Sequence, residues 1–153
     1  MVRAAAVLFW LLPLAWTASC TGSGGPLVTV HGTQGEVAVR VVIARTREQL
    51  SRGLMWRNEL DADAGMLFVF GDTAPRTFWM KNTPLPLDIL FLDERGTVLN
   101  VAASTTPYSE APVRSAGPAR YVLEVNAGFA AKHGIGSGAR VELPAEAFST
   151  TDK

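Results

Sequence analysis

Val37, Val39, Val41 and Ile43 alternate with Ala38, Arg40, Val42 and Ala44, a period of two that sets one apolar face along an extended strand and along no helix. The rest of the chain repeats that grammar in short runs. Met66 to Phe70, Phe78 to Lys81, Leu87 to Leu92, Thr97 to Ala103, Tyr121 to Val125 and Val141 to Leu143 are each apolar or alternating. Gly, Pro, Asn or Asp interrupts them, and Pro84 and Pro86 forbid a helix beside the second of these runs. Two short stretches read as helical. Thr46 and Gln49 have capping-box spacing ahead of Leu50 and Leu54, in a helix ending near Trp56, and Ala127 to His133 makes about two turns closed by Gly134. Gly96 suits a left-handed hairpin position, and residues 104–119, with Pro107, Pro112 and Pro118, read as a long irregular loop. The pattern is mainly β: about seven to nine short strands with one or two short helices, as in a β-sandwich or barrel.

The first residues belong to another class. Arg3 precedes an apolar stretch from Ala4 to Trp16, then Thr17-Ala18-Ser19 and Cys20, the single cysteine of the chain. That order is a secretory leader, shorter than the roughly 20 apolar residues a membrane span requires. Residues 1–19 read as a lipoprotein-type signal peptide, although Thr17 stands where a lipobox favours Leu. Residues 20–26 read as a lipidated Cys20 with a Gly- and Ser-rich tether, and residues 27–150 as one β-rich domain. A diacylated cysteine meets the two-chain requirement for stable anchoring, so the expected partner is a membrane, in the periplasm or cell envelope. Cleavage near Ala18, leaving an unmodified thiol, is the alternative. Without its leader the domain keeps Trp56 and Trp79 as its tryptophans and has no internal disulfide.

Composition narrows function by exclusion. Hydrophobic residues at 48% and charged residues at 18% rule out a disordered tail. Lysine plus arginine balance aspartate plus glutamate at 14 each, which leaves no electrostatic footprint for nucleic acid.

Three blocks stand out together: Arg52-Gly53-Leu54-Met55-Trp56-Arg57, Gly65-Met66-Leu67-Phe68-Val69-Phe70 and Phe78-Trp79-Met80-Lys81-Asn82-Thr83. Pro86-Leu87-Asp88-Ile89, Phe91-Leu92-Asp93 with Gly96, and Tyr121-Val122-Leu123-Glu124 follow them. This order resembles the bacterial and archaeal family called domain of unknown function 192, from about Val37 to Val141. The resemblance implies a compact jelly-roll-like β-sandwich or barrel. It is in keeping with a lipoprotein leader, and it implies no established activity.

Candidate site residues come from the polar positions inside these blocks. Trp79 and Lys81, two apart, project from one face of an extended segment, where an indole beside an ammonium can grip a sugar, a carboxylate or a peptide end. The bland alternative packs Trp79 on the core and pairs Lys81 with Asp88 or Asp93. Asn82 is a candidate too, although it and Thr83 suit turn-making hydrogen bonds better. Arg57 can hold a carboxylate, either Glu124 internally or a bound anion. Glu124, in an apolar strand, is the acid expected to be partly buried.

Catalytic signatures are thin. No nucleophile elbow occurs, His31 and His133 lie outside the blocks, and Asp61-x-Asp63-x-Gly65 reads as a plain turn rather than a calcium loop. No metal or cofactor is expected. The reading that follows is a non-catalytic accessory module binding an envelope sugar, peptide or protein through Arg57, Trp79, Lys81, Asn82 and Glu124. Its competitor is an envelope hydrolase using Lys81 and a carboxylate as acid and base.

Overall fold

The structure, a computed structural model, describes residues 24–149 of the 153-residue chain. The leader, Cys20 and the first half of the tether, residues 21–23, lie outside the described residues. Seven strands form one sheet: β1 (Leu27–Gly32), β2 (Gly35–Ala44), β3 (Ala64–Phe78), β4 (Leu87–Leu92), β5 (Val98–Ala102), β6 (Val113–Asn126) and β7 (Arg140–Glu142), in the order β5-β4-β6-β3-β2-β1-β7. Two short helices, α1 (Arg47–Arg52) and α2 (Phe129–His133), complete the frame with a 3-10 turn at Ala145–Phe148.

The sheet curls until its edges touch at one end. Thr97 bridges Arg140, the Val98 amide donates to Ala139 O (2.9 Å), and the Val141 amide to Gly96 O (2.8 Å). The expected β-sandwich or barrel is thus realised as a curled half-barrel. Strand β1, with Val28 and Val30 fully buried, has no counterpart among the runs singled out from sequence.

Alternation sorts side chains to two apolar faces. Val28, Val39, Leu67, Leu90, Leu123 and Val125 fill the inside of the curl, where α2 adds Phe129 and Ala130. Met66, Phe68, Ile89, Phe91 and Val122 point the other way and form a second cluster with Leu54, Met80 and Leu87. Strand β4 is buried along its whole length for that reason. A sheet with two apolar faces needs an outer cover, and the link from β2 to β3 supplies one. These strands pair in parallel, Val41 opposite Gly65, so the chain must cross over between them, and α1 lies in that crossover. Its capping box forms as expected: the Gln49 amide donates to Thr46 Oγ1 (3.2 Å) and the Thr46 amide to Gln49 Oε1 (3.0 Å). The helix stops at Gly53, before Trp56.

Two expectations fail locally. Phe78 to Lys81 is not a separate strand. Phe78 ends the long β3, and the chain turns at Lys81 and Asn82, with the Thr83 amide donating to Met80 O (3.0 Å). Nor is all of 104–119 irregular, because β6 begins at Val113 and runs through Pro118. Pro118 sits opposite Pro75 across a register shift. Neither proline has an N–H to leave unsatisfied, so a pair that looks like a breaker in sequence is tolerated in the ladder.

One buried carboxylate ties the remaining loops to the sheet. Asp88, fully buried in β4, accepts from the Ser104 amide (2.7 Å) and from the Ala130 amide at the start of α2 (2.8 Å). Asp88→Ala therefore leaves the buried Ala130 donor unmade, and equilibrium urea unfolding should report a loss of about 2–3 kcal/mol. A loss near zero would show that Asp88 does not hold these segments.

Candidate functional site

Glu124 sits on the outer face of β6 between Met66 of β3 and Ile89 of β4. Its neighbours on that face are apolar because the face belongs to the second core cluster. The crossover then covers it from above. Gly53, at φ 50°, brings backbone so close that a Cβ there would lie 3.2 Å from Phe68 Cζ and 3.8 Å from Glu124 Oε2. Only glycine adopts that conformation without strain and leaves that space. Glu124 is 5% exposed, and its Oε2 has no hydrogen-bond partner among the described residues. Burial alone pushes the carboxyl up to about 8 from an ordinary value near 4.5, so it is mostly protonated at neutral pH.

Glu124 lines a cleft of about 510 Å³, with its orphaned oxygen buried beneath the surface. Leu50, Leu54 and Met55 form one wall, and Phe68, Phe70, Phe78 and Trp79 the other. The phenylalanines brace one another edge to face, Phe78 standing 5.0 Å from Phe68 and 6.4 Å from Phe70 between ring centroids. Each such contact is worth about 1 kcal/mol beyond burial, enough to keep the wall in one arrangement. Arg76 closes the rim. Its guanidinium lies 3.9 Å from the Phe70 ring centroid, donates through Nε to Ala119 O (3.1 Å) and pairs with Asp72 (2.8 Å). That pairing holds the Asp72 carboxyl below the usual carboxylate range.

The candidate residues named from sequence do not all meet. Trp79 and Glu124 line this cleft together, whereas Arg57, Lys81 and Asn82 do not. Arg57, on the crossover itself, lines two smaller grooves with Met66, and the expected Arg57–Glu124 pair does not form. The crossover backbone at Gly53 occupies the approach to the carboxyl that a guanidinium would need. Lys81 pairs with neither Asp88 nor Asp93. Its Nζ stands 3.7 Å from Glu110 and 5.2 Å from the Trp79 ring centroid, so indole and ammonium do share one side although the segment is not a strand. Asn82 makes the turn: at φ 55° its carbonyl accepts from the Trp56 amide (2.8 Å), joining the 79–86 segment to the crossover. Arg76 and the Phe70 wall were not foreseen from sequence. Asp72 and Arg76, four residues apart with opposite charges, were the available signal.

A neutral carboxyl in a cleft of mixed polar and apolar lining can donate one hydrogen bond and accept another. Leaving the Oε2 atom unpaired costs about 1–3 kcal/mol, which a ligand group would recover on displacing the side chains that cover it. Among the described residues no group of three or more His, Cys, Asp or Glu side chains is placed to hold a metal ion. No helix among them is long and apolar enough to cross a membrane.

A family model for DUF192, described as an uncharacterized ACR, matches residues 28–143. A crystal structure of a protein of unknown function from Novosphingobium aromaticivorans is 46% identical, with a TM-score of 0.74, covering 76% of this chain and 83% of its own. A Sinorhizobium meliloti protein, provisionally described as a transcription regulator, is 40% identical with a TM-score of 0.74, covering 77% of this chain and 92% of its own. No curated protein matches the chain.

The raised Glu124 carboxyl has a signed consequence for stability. Between the unfolded value near 4.5 and the folded value of about 8, the native state holds a proton that the unfolded state has released. Stability is therefore fully present below the lower value and falls as pH rises toward the upper one, by up to about 1.4 kcal/mol per pH unit. Urea unfolding at a series of pH values should show wild type losing stability relative to Glu124→Gln across that window. Parallel curves would mean the carboxyl is not protonated by burial.

Proposed function

The chain belongs to the DUF192 family, and on that footing we propose that it is a lipoprotein-type member that binds an envelope ligand in the cleft over Glu124 without transforming it. The observation that carries this reading is the unpartnered Oε2 of a 5%-exposed glutamate beside a cleft of about 510 Å³. That size is ordinary for a small-molecule site, and the walls mix apolar side chains with the polar groups of Ser51, Arg76, Thr77, Thr83 and Glu124.

Catalysis finds less support. A protonated glutamate suits a general acid, but among the described residues it is the one acid lining this cleft, and no histidine lines it. Glycoside hydrolysis by two carboxyls needs a second within about 5–10 Å. Asp88 has both oxygens committed to backbone amides. The regulator description of the Sinorhizobium relative is not carried over, because 14 basic against 14 acidic residues leave no cationic excess for phosphate contacts.

The envelope location rests on the leader, the lone Cys20 and the short tether. Six residue steps from Cys20 to Pro26, at most roughly 3.5 Å each, would hold the domain within about 20 Å of the lipid surface. The ligand is thus a molecule found at that surface.

Two measurements test the two halves. Cys20→Ser should move the protein from the membrane fraction to the soluble one, and continued retention would count against lipidation. N-phenyl-1-naphthylamine, an uncharged fluorophore, should brighten on entering the cleft. Leu50→Trp, which fills it from α1, should weaken that binding about tenfold, or about 1.4 kcal/mol, with thermal unfolding unchanged. Undiminished brightening would reject the cleft as the site.

A further inference from the structure

Trp79 is a wall of two hollows rather than one. The cleft over Glu124 and a second hollow of about 280 Å³ share Thr77, Phe78 and Trp79, and Glu110 and Pro112 complete the second. The indole, 48% exposed, stands on the divide between them. Beyond it the Lys81 ammonium and the Glu110 carboxylate form an ion pair of exposed side chains at 3.7 Å. The second hollow alone falls just below the usual range for a ligand site of about 300–1,000 Å³, whereas the first lies inside it. Its size and shared wall make it a continuation of the first.

We propose that the two hollows are consecutive subsites of one groove that takes a short uncharged oligosaccharide, one sugar ring stacking on the Trp79 indole between them. The proposal rests on the ligand-binding reading of the Glu124 cleft and names the ligand class. Charge along the groove cancels in pairs, Lys81 against Glu110 and Arg76 against Asp72. Arg52, the other arginine lining the cleft, has its guanidinium over Trp56, 5.7 Å from the ring centroid. A charged ligand therefore finds one uncompensated charge, that of Arg52, drawn toward Trp56 of the neighbouring groove. Polar groups instead come as donor with acceptor at both ends: ammonium beside carboxylate at one, a carboxyl able to do both at the other. Hydroxyls, which donate and accept, match that pattern. The Lys81–Glu110 pair contributes less than about 1 kcal/mol because both partners are exposed, so hydroxyls can replace its internal contact at little cost. Between the ends an exposed indole offers its flat face to the C–H side of a sugar ring.

The test uses the full chain carrying Trp56→Phe, so that Trp79 alone of the described tryptophans reports. N-acetylglucosamine and its linear dimer, trimer and tetramer are titrated by fluorescence. Affinity should rise about tenfold from monomer to trimer and then level, and Trp79 emission should shift. Trp79→Ala, at an exposed position, should remove the length dependence, which in that variant is read by calorimetry. Glu110→Ala should lower trimer affinity severalfold. Equal affinity for monomer and trimer, or tighter binding of the deacetylated, cationic trimer, would overturn the proposal. Absence of sugar binding while the uncharged fluorophore still occupies the cleft would overturn it and leave the ligand-binding reading intact. Failure of both probes would remove both.

Discussion

The architecture depends on a sheet that is apolar on both faces. Curling buries one face against itself, and the outer face must be covered by whatever the chain can spare. The parallel pairing of β2 with β3 meets that need, because it obliges the chain to cross the outer face between them. Leu54, carried on that crossover and 3% exposed, packs with Phe68 and Ile89 in the outer cluster. The segment from Trp79 to Pro86 adds Met80, 1% exposed, from the other side.

The candidate cleft is the place where this cover stays open. Glu124 occupies a position on the outer face where its neighbours demand an apolar side chain, and it meets that demand by keeping its proton. An ionised carboxylate there would carry a desolvation penalty of several kcal/mol with no partner to offset it. The neutral form leaves one unsatisfied oxygen, a smaller cost. Asp88 shows the contrast within the same protein: also buried, it has an amide on each oxygen and serves the scaffold.

The loops around the cleft are held against their own preferences. Trp56, Asn82, Ser104 and Tyr108 all have positive φ without being glycine. Such backbone costs on the order of 1–3 kcal/mol per residue and persists only where the surroundings over-determine it. The Trp56 amide bonds to Asn82 O, the Tyr108 amide to Thr83 O and the Met80 amide to Ser109 O, so three loops are stitched into one unit. That stitching presents Trp79 at a fixed place.

Local rules were legible in the sequence. The alternation at Val37 to Ile43, the Thr46–Gln49 cap and the left-handed Gly96 and Gly134 all appear where periodicity and capping chemistry put them. These depend on near neighbours, whose spacing sequence alone determines. Glu124 could be singled out for the same reason, as an acid on an apolar strand. The partners of each residue were another matter. Whether Arg57 reaches Glu124, whether Phe78 ends one strand or starts another, and whether Arg76 faces the cleft are set by strand order and register. A shift of one residue in a strand sends every side chain to the opposite face, so nothing in the local pattern decides between pairings. Tertiary structure chose the parallel crossover, and with it came the Gly53 roof, the excluded Arg57 and the open cleft.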